Sequence, residues 1–376
     1  MSERRADPLV TGSGPTAAFE VRASRRTQVR IGPGALFDLV EALAGRRGQV
    51  VADTHALKLH GGLLPAELHE RAIAVPRGED VKTWAQLGAL LERLAAAALD
   101  RGAVLVAFGG GATSDAVGLA AALYHRGIPW IACPTTLLAQ VDAAIGGKTA
   151  VDLAAAKNLV GAFHAPEWVL ADPRPLATLT PTERTSGLGE VLKVALALDP
   201  DLFAALERGA TDALEGPAEG LCALVEPCAR AKGRLVEVDE HDTGAREALN
   251  LGHTLGHAIE TAAGHGRVPH GVAVAAGIGF ALELAAEHGG IAPGLHARVA
   301  SVARRLGLPA GLGDLESALG ERLDDEALLG ALARDKKARD GRPRFVLPRA
   351  LGRVEIGVAV APRDVERVLA RRSPAP

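Results

Sequence analysis

The chain has 376 residues, of which 48% are hydrophobic and 23% charged, and its formal net charge is −3. This length predicts two domains, and the composition is ordinary for a soluble globular protein. The near-neutral charge and the few aromatic residues (three Trp, one Tyr and seven Phe) exclude the basic surface and stacking platform of a nucleic-acid-binding protein. No apolar run is long enough to span a bilayer, and the first residues lack the apolar core of a secretory signal, so we expect a cytoplasmic protein. The cysteines show no metal-ligand spacing, and we expect reduced, buried thiols at Cys133, Cys222 and Cys228.

The first half of the chain alternates between strand-like and helix-like segments. Residues 1–16 are polar and rich in Pro and Gly and predict a flexible arm. The alternating runs at 18–23 and 27–31 predict a β-hairpin. The alternation that follows predicts βαβ units and a mostly parallel sheet, with segments at 36–43, 50–53, 73–75, 81–98, 104–108, 115–125, 130–133 and 169–172.

The pattern changes near residues 178–182. Thr180 is a candidate N-cap, Pro181 a favourable first helical residue, and Glu183 completes the helix-start signal. We therefore expect an α/β domain at 17–180 and a mainly helical domain at 181–376. Helical periodicity is found at 183–198, 201–208, 218–238, 245–263, 271–288 and 293–306, and a short strand at 344–348 precedes a final helix at 362–371.

Three glycines, Gly109 to Gly111, follow an apolar strand and precede a predicted helix start at Thr113 to Asp115. Glycines allow a backbone to approach a pyrophosphate, and the free N–H groups of a helix start bind anions. The segment lacks the G-x-G-x-x-G fingerprint, so a tight βα turn without a ligand is the alternative. The strand–glycine–helix context favours dinucleotide phosphates.

The sequence G-G-K-T at 146–149 is not a P-loop, because Asp142 stands where that motif needs glycine. Lys148, Lys157 and Asn158 remain in a predicted loop region as donors suited to a phosphate or a carboxylate. Solvated surface side chains are the alternative. The basic cluster at 333–338 is by default a solvated charge run.

The window from Arg246 to His270 brings Arg246, Asn250, His253, His257 and His270 into 25 residues. His253 and His257 are four residues apart, so both imidazoles lie on one helix face and suit a divalent metal. Arg246 and Asn250 could hold an anionic, oxygen-rich substrate beside it. A helix that carries histidines by chance is the alternative.

Upstream, Glu190 and Lys193 share a helix face among apolar neighbours. A surface ion pair is one interpretation. A partly buried carboxylate that binds a cation is the other.

Taken together, these motifs resemble 3-dehydroquinate synthase, of the sugar-phosphate cyclase superfamily, from about residue 20 to 365. The resemblance rests on several long segments in the family's order: GGGATSD at 109–115, YHRG at 124–127, PTTLLAQVDAAIGGKTAVD at 134–152, KNLVGAFH at 157–164, GLGEVLK at 187–193, RxxxNLGHTLGHAIE at 246–260, HG at 270–271 and RDKK at 334–337.

The resemblance implies an N-terminal α/β NAD-binding domain and an all-α C-terminal domain that binds metal and substrate. It assigns zinc, or cobalt, to Glu190, His253 and His270. It assigns NAD to Asp53, Glu79, Lys82, Gly109, Gly110, Gly111, Asp115, Thr135, Thr136, Lys148, Lys157 and Thr178. It assigns the substrate to Arg126, Asp142, Lys148, Asn158, Lys193, Lys232, Arg246, Asn250, His257 and Lys336, with Lys337 an alternative to Lys336. Arg126 would reach across a dimer interface, which implies a homodimer.

The implied reaction is the second step of the shikimate pathway. A carbon–oxygen lyase converts 3-deoxy-D-arabino-heptulosonate 7-phosphate to 3-dehydroquinate and phosphate. It does so by transient NAD oxidation, phosphate elimination, re-reduction and intramolecular aldol closure. The implied phosphate ligands are Lys148, Asn158, His257 and Lys336, while Arg246 with Lys193 suits the carboxylate.

Ser114, Asp152 and Val272 depart from residues common in the family, and none is an implied ligand. The nearest rival is an amino-dehydroquinate synthase or another cyclase of secondary metabolism. Cyclases that act on sedoheptulose 7-phosphate or glucose 6-phosphate lack a substrate carboxylate, and Arg246 with Asn250 argues against them. More distant rivals are a metal-dependent polyol or glycerol dehydrogenase and a catalytically inactive NAD-binding homologue.

Overall fold

A computed structural model describes residues 17–153, 156–264, 266–288, 290–334 and 343–372. The chain divides into two compact units, which join between Thr178 and Leu179. The arm predicted at 1–16 and the basic residues Lys336 and Lys337 lie outside the described residues.

The first unit is built on a seven-stranded sheet. Its strands are β1 Ala17–Arg22, β2 Arg26–Ile31, β3 Gly48–Asp53, β4 Ile73–Val75, β5 Val104–Gly109, β6 Trp130–Pro134 and β9 Trp168–Ala171. They lie in the order β1-β2-β9-β6-β5-β3-β4. β1 and β2 form the predicted antiparallel hairpin, and the other pairings are parallel. All six residues of the central strand β5 are buried, as expected for a parallel strand covered on both faces.

Helices connect these strands and cover an apolar core. One core cluster joins Leu39 and Leu43 of the first helix to Val106 and Phe108 of β5 and Ile131 of β6. The α-helices are α1 Leu39–Leu43, α2 Thr54–His60, α3 Ala66–Glu70, α4 Trp84–Ala96 and α5 Gly111–Leu123. Short 3-10 segments lie at Ala35–Asp38, Gly61–Leu63, Gly78–Val81, Tyr124–Arg126 and Arg174–Thr178, and a π-helical segment at Ala139–Ala143.

The region expected to be a loop around Lys148, Lys157 and Asn158 is instead a second, two-stranded sheet. β7, Lys148–Leu153, pairs antiparallel with β8, Ala156–Phe163. A side-chain hydrogen bond also joins the two strands, since the buried Thr149 hydroxyl of β7 donates to the Ala162 carbonyl of β8 at 3.0 Å. The loop prediction for these residues was therefore wrong, and they sit at defined positions on a hairpin.

The second unit is mostly helical, which confirms the predicted fold class. Its helices are α6 Pro181–Leu198, α7 Pro200–Glu215, α8 Cys222–Val238, α9 His253–Ala263, α10 His270–Glu287, α11 Leu295–Arg305, α12 Leu312–Leu319, α13 Asp325–Ala333 and α14 Pro362–Arg371. A hairpin of β10, Arg344–Ala350, and β11, Arg353–Ala359, accompanies them, and its second strand was not predicted. The predicted start of α6 is confirmed: Thr180 and Glu183 form a reciprocal capping box, with proline in the first turn.

The single helix predicted at 245–263 is broken. Residues Ala245–Asn250 form a 3-10 segment, and α9 begins only at His253. Gly252 separates them with φ +79°, a left-handed conformation that glycine adopts readily. A Cβ at Gly252 would also lie 2.5 Å from the Val274 carbonyl oxygen. Arg246 and Asn250 therefore do not share a helix with the histidines.

Helix α10 forms the apolar centre of the second unit. It packs against α6, α9, α11, α12, α14 and β10. Among the described helices it is the one long and apolar enough to cross a membrane by length and composition, and 72% of that stretch is buried inside the protein. Because most of this stretch is buried inside the protein, its apolar sequence is that of a core helix.

Candidate active site

Three side chains from three helices of the second unit converge in a group with metal-ligand chemistry. Glu190 lies on α6, His253 is the first residue of α9, and His270 is the first residue of α10. Their ligand atoms all lie within 4.8 Å of one another. Glu190 Oε1 is 3.8 Å from His253 Nε2 and 3.5 Å from His270 Nε2. Ligands about 2.05 Å from a tetrahedral zinc are about 3.3 Å apart, so one carboxylate and two imidazoles fit a zinc or cobalt ion at this spacing.

A glycine adjoins each member of this group and lets helix backbones meet. Gly189 precedes Glu190, and a Cβ there would lie 2.1 Å from the Gly271 carbonyl oxygen. Gly271 follows His270, and a Cβ there would lie 1.8 Å from the Ser186 carbonyl oxygen. The Gly271 amide also donates to Ser186 Oγ at 3.1 Å. Together with Gly252 before His253, these contacts fix the spacing between the helices that carry the three side chains.

Glu190 and Lys193 are both buried and form a direct ion pair within α6. The surface ion pair considered from the sequence is therefore wrong, since both groups are desolvated. Burial lowers the pKa of His270, but the hydrogen bond to Glu260 and the negative charges of Glu190 and Glu260 outweigh it, so this pKa lies above its usual value. The imidazole of His270 thus lies between two carboxylates, Glu190 on its Nε2 side and Glu260 on its Nδ1 side.

His257 stands beside the group rather than within it. Its ring is exposed, and its centroid lies 5.4 Å from that of His253 and 6.0 Å from that of His270. Glu260 lies one turn further along α9, and its Oε2 is 3.2 Å from His270 Nδ1. Sequence reasoning did not single out Glu260, although it ends the H-T-L-G-H-A-I-E segment three residues after His257.

Arg246 and Asn250 lie on the 3-10 segment before the histidines. Asp239 shapes this segment, because its carboxylate accepts the amides of Gly244 and Arg246 at 2.8 and 3.1 Å. Arg246 is 2% exposed, and its Nη1 donates to the Glu240 carbonyl at 2.7 Å. Asn250 Nδ2 donates to the Glu247 carbonyl at 3.0 Å. The structure thus places Arg246 as a buried cation.

The first unit brings part of the predicted dinucleotide site together where β3, β5 and β6 end. Asp53 ends β3 and caps α2, accepting the amides of His55 and Ala56. A Cβ on Gly109 would lie 3.0 Å from Asp53 Cβ. The Thr135 amide donates to the Gly109 carbonyl at 2.9 Å. Adjacent carboxyl ends of parallel strands are where such sheets bind nucleotides.

The glycine segment opens directly into α5. Gly110 is its N-cap and supplies no side-chain hydrogen bond, so the first amides of α5 are not capped by that residue. A Cβ at Gly110 would lie 3.3 Å from Thr136, and one at Gly111 would lie 2.9 Å from Ala143. The backbone therefore passes close to neighbouring side chains at both positions. At Gly111, any other residue would require those neighbours to move.

Lys82 joins residues predicted for NAD to one predicted for substrate. It is 4% exposed, and its Nζ donates to Asp115 Oδ2 at 2.8 Å and to Asn158 Oδ1 at 2.5 Å. Burial lowers the pKa of Lys82, but the charges of Asp115 and Glu79 outweigh it and raise this pKa. Asn158 has φ +53°, and Asp152 accepts its amide at 2.7 Å.

The other predicted residues are spread over both units. Asp142 lies in the π-helical segment, and Lys148 and Lys157 lie on the β7–β8 hairpin. The Thr178 hydroxyl donates to the Pro175 carbonyl and lies 2.7 Å from His60 Nε2. Lys232 is buried on α8 of the second unit.

Arg126 occupies a turn in which His125 and Arg126 both have positive φ, +51° and +65°. Non-glycine residues rarely adopt this conformation. The Tyr124 hydroxyl donates to the Leu94 and Leu99 carbonyls, both at 3.2 Å, and His125 Nε2 lies 3.0 Å from the Leu99 carbonyl oxygen. The turn is thus anchored through the side chains of Tyr124 and His125.

Two family models match adjacent stretches of the chain. Residues 72–186 match the family model described as 3-dehydroquinate synthase N-terminal, and residues 187–338 match the one described as 3-dehydroquinate synthase C-terminal. A 3-dehydroquinate synthase from Paracoccus denitrificans is 41% identical over 93% of this chain and 96% of its own. A 2-epi-valiolone synthase from Actinosynnema mirum is 41% identical over 89% of this chain and 87% of its own.

A solved structure extends the similarity to the fold. The 2-epi-5-epi-valiolone synthase from Streptomyces hygroscopicus subsp. jinggangensis 5008, with NAD+ and Zn2+ bound, has a TM-score of 0.81 and 30% identity. The match covers 94% of this chain and 98% of that one.

Proposed function

Since the chain belongs to the 3-dehydroquinate synthase family of sugar-phosphate cyclases, we propose that it converts 3-deoxy-D-arabino-heptulosonate 7-phosphate to 3-dehydroquinate and phosphate. The main observation in favour of a metal-dependent cyclase is that the ligand atoms of Glu190, His253 and His270 lie within 4.8 Å of one another. A relative of known structure binds NAD+ and Zn2+, which supports the same two cofactors here. The role in the shikimate pathway follows from this choice of substrate.

Glu190, His253 and His270 would hold the metal, and the strand ends near Asp53 and Gly109 would hold NAD. When bound, the metal polarises substrate oxygens as a Lewis acid and NAD accepts and returns a hydride. The chain's own contribution is positioning and charge. His257 is exposed beside the metal group, where it can bind an anionic substrate group.

Arg246 is the residue that favours a carboxylate substrate. Its planar guanidinium fork matches the geometry of a carboxylate and can bind one through two parallel hydrogen bonds. Sedoheptulose 7-phosphate and glucose 6-phosphate carry no carboxylate for Arg246 to bind. The second candidate is a cyclase acting on such a substrate, because a 2-epi-valiolone synthase is as similar in sequence, at 41% identity, as the 3-dehydroquinate synthase.

Product analysis separates these candidates. With the heptulosonate phosphate, catalytic NAD and zinc, the protein should release one phosphate per substrate without net NADH. Steady NADH accumulation would instead indicate a polyol dehydrogenase. Turnover of sedoheptulose 7-phosphate in preference to the heptulosonate phosphate would establish the second candidate. An amino-substituted substrate in the same panel tests the secondary-metabolic rival.

Substitution of Arg246 tests the carboxylate contact directly. Arg246→Lys should lower kcat/KM for the heptulosonate phosphate by a factor equivalent to about 2–4 kcal/mol, since the bidentate contact is lost. Arg184→Lys is a matched control, because Arg184 Nη1 donates to the Gly216 carbonyl and Arg184 is not among the residues implied to bind metal, NAD or substrate. An unchanged kcat/KM in Arg246→Lys would show that Arg246 does not contact substrate.

We also propose that the chain acts as a homodimer in which the strained turn at Arg126 faces the partner subunit. Analytical ultracentrifugation should give twice the chain mass of 38.7 kDa. A monomer with full activity would contradict this. The cytoplasmic location expected from the sequence stays a prediction.

A further inference from the structure

The two histidines of the metal group face Glu190 through the same ring atom but differ on the other side of the ring. Both present Nε2 toward Glu190 Oε1. His253 Nδ1 lies 3.2 Å from the backbone carbonyl oxygen of Leu251. His270 Nδ1 lies 3.2 Å from the carboxylate oxygen Oε2 of Glu260. One ring is therefore oriented by a neutral acceptor and the other by a charged one.

Glu260 is well placed to hold His270. It lies on α9 and is 7% exposed, whereas His270 opens the next helix, α10. A hydrogen bond from Nδ1–H to this carboxylate selects the tautomer in which Nε2 carries the lone pair. It also fixes the rotation of the ring and raises the basicity of Nε2.

Geometry alone allows a second interpretation. His257, Glu260 and His270 also bring ligand atoms within 4.8 Å of one another. That outer group and the group around Glu190 share His270, however. If Nε2 of a neutral imidazole binds an ion in the inner group, Nδ1 keeps its proton and cannot bind a second ion. Glu260 can serve the inner group only as a hydrogen-bond acceptor.

We propose that Glu260 is a positioning residue that orients His270 and strengthens its bond to the metal. The proposal rests on the proposed metal site at Glu190, His253 and His270. The Leu251 carbonyl performs the corresponding task for His253 without a charge. Of the two histidine ligands, His270 is therefore the one whose Nδ1 partner is a side chain that substitution can change without removing a ligand.

Zinc affinity of the purified full-length protein tests the proposal independently of turnover. Metal-free wild type, Glu260→Gln and Glu260→Ala are compared by competition with a chromophoric chelator. Removal of such an outer partner typically weakens metal binding by about 10–100-fold, and we expect Glu260→Ala in that range. Glu260→Gln retains an acceptor but not the charge, so a smaller loss of about tenfold is expected.

Cobalt provides a readout that a purely structural role would not move. The visible absorption of the Co2+-loaded protein should shift in Glu260→Gln, because the ligand strength of His270 changes. Glu283→Gln is the matched control, since Glu283 is a half-buried carboxylate near the other end of α10. Its zinc affinity and cobalt spectrum should equal those of the wild type.

The outcomes are distinguishable. Wild-type zinc affinity and an unchanged cobalt spectrum in Glu260→Gln would overturn the proposal, even if Glu260→Ala failed to fold. Loss of zinc in Glu260→Ala with full retention in His253→Ala would overturn it in favour of the outer group. A wild type that binds no zinc under any condition would refute the proposed metal site itself.

Discussion

The glycine contacts beside the metal group lead to a graded prediction about metal affinity. In Gly271→Ala, the new Cβ would lie 1.8 Å from the Ser186 carbonyl oxygen, whereas ordinary contact begins at 3.4 Å. Helices α6 and α10 must therefore separate locally by about 1.6 Å (3.4 − 1.8). Metal–ligand distances tolerate only about 0.2 Å. Glu190 and His270 lie next to the glycines at which α6 and α10 meet. The substitution should therefore weaken metal binding more than it lowers the stability of the fold.

We expect Gly271→Ala to lose at least about 100-fold in zinc affinity, beyond what removal of an outer hydrogen-bond partner causes. The free energy of unfolding of the metal-free protein should fall by about 1–3 kcal/mol, as for other overpacked sites. Chelator competition measures the affinity, and circular dichroism with urea unfolding measures the fold.

Two further glycines complete the series. Gly256→Ala on α9 meets its nearest atoms at 3.3 Å, so only a small adjustment and a small loss are expected. Gly88→Ala on α4 meets nothing within 4 Å. It should leave zinc affinity unchanged and raise stability by about 0.5–1 kcal/mol. Zinc affinity of Gly271→Ala within about threefold of wild type would refute the argument, and so would a rank order that does not follow the contact distances.

Three other substitutions test electrostatic and capping features. Thr180→Ala removes the cap of α6 and should lower stability by about 1 kcal/mol, with Thr180→Ser restoring it; an unchanged melting temperature would contradict the capping role. Burial raises the pKa of Glu283 to about 7 from 4.5, so wild-type stability should fall as pH rises between these values. Glu283→Gln should therefore be more stable than wild type at pH 8 and differ less at pH 5, and parallel pH profiles would refute this. Lys82→Met removes the buried cation facing Asp115 and should cost about 3 kcal/mol in urea unfolding, a loss that wild-type stability would disprove.

Local signals in the sequence were sufficient for much of the fold. The alternation of apolar runs predicts β3, β5, β6 and β9, since each lies in the buried sheet and has a continuous apolar pattern. The start of α6 follows from Thr180 and Pro181 because capping depends on neighbouring residues only. The β7–β8 hairpin was missed because its position depends on non-local packing, such as Thr149 against Gly118 of α5.

In the candidate site, too, local features could be predicted from the sequence and features that depend on tertiary packing could not. The spacing of His253 and His257 pointed to metal chemistry, because helical periodicity is a local property. The break at Gly252 was hidden, since an apolar pattern continues through it and one glycine does not reveal its φ. Glu260 could not be distinguished from a solvated glutamate, because its burial and its contact with His270 depend on where α10 packs. Residue roles drawn from the resemblance remain predictions.

The strained turn at Tyr124 to Gly127 bears on how this protein could be engineered. Left-handed His125 and Arg126 each cost about 1–2 kcal/mol relative to glycine. The contacts of Tyr124 and His125 with the carbonyls of Leu94 on α4 and Leu99 after it offset that cost. A library selected for heat resistance would therefore enrich glycine at position 126, whereas glycine at position 125 would also lose the contact with Leu99. Such a selection would discard the guanidinium that the turn presents, so thermostabilised variants should be designed with Arg126 held constant.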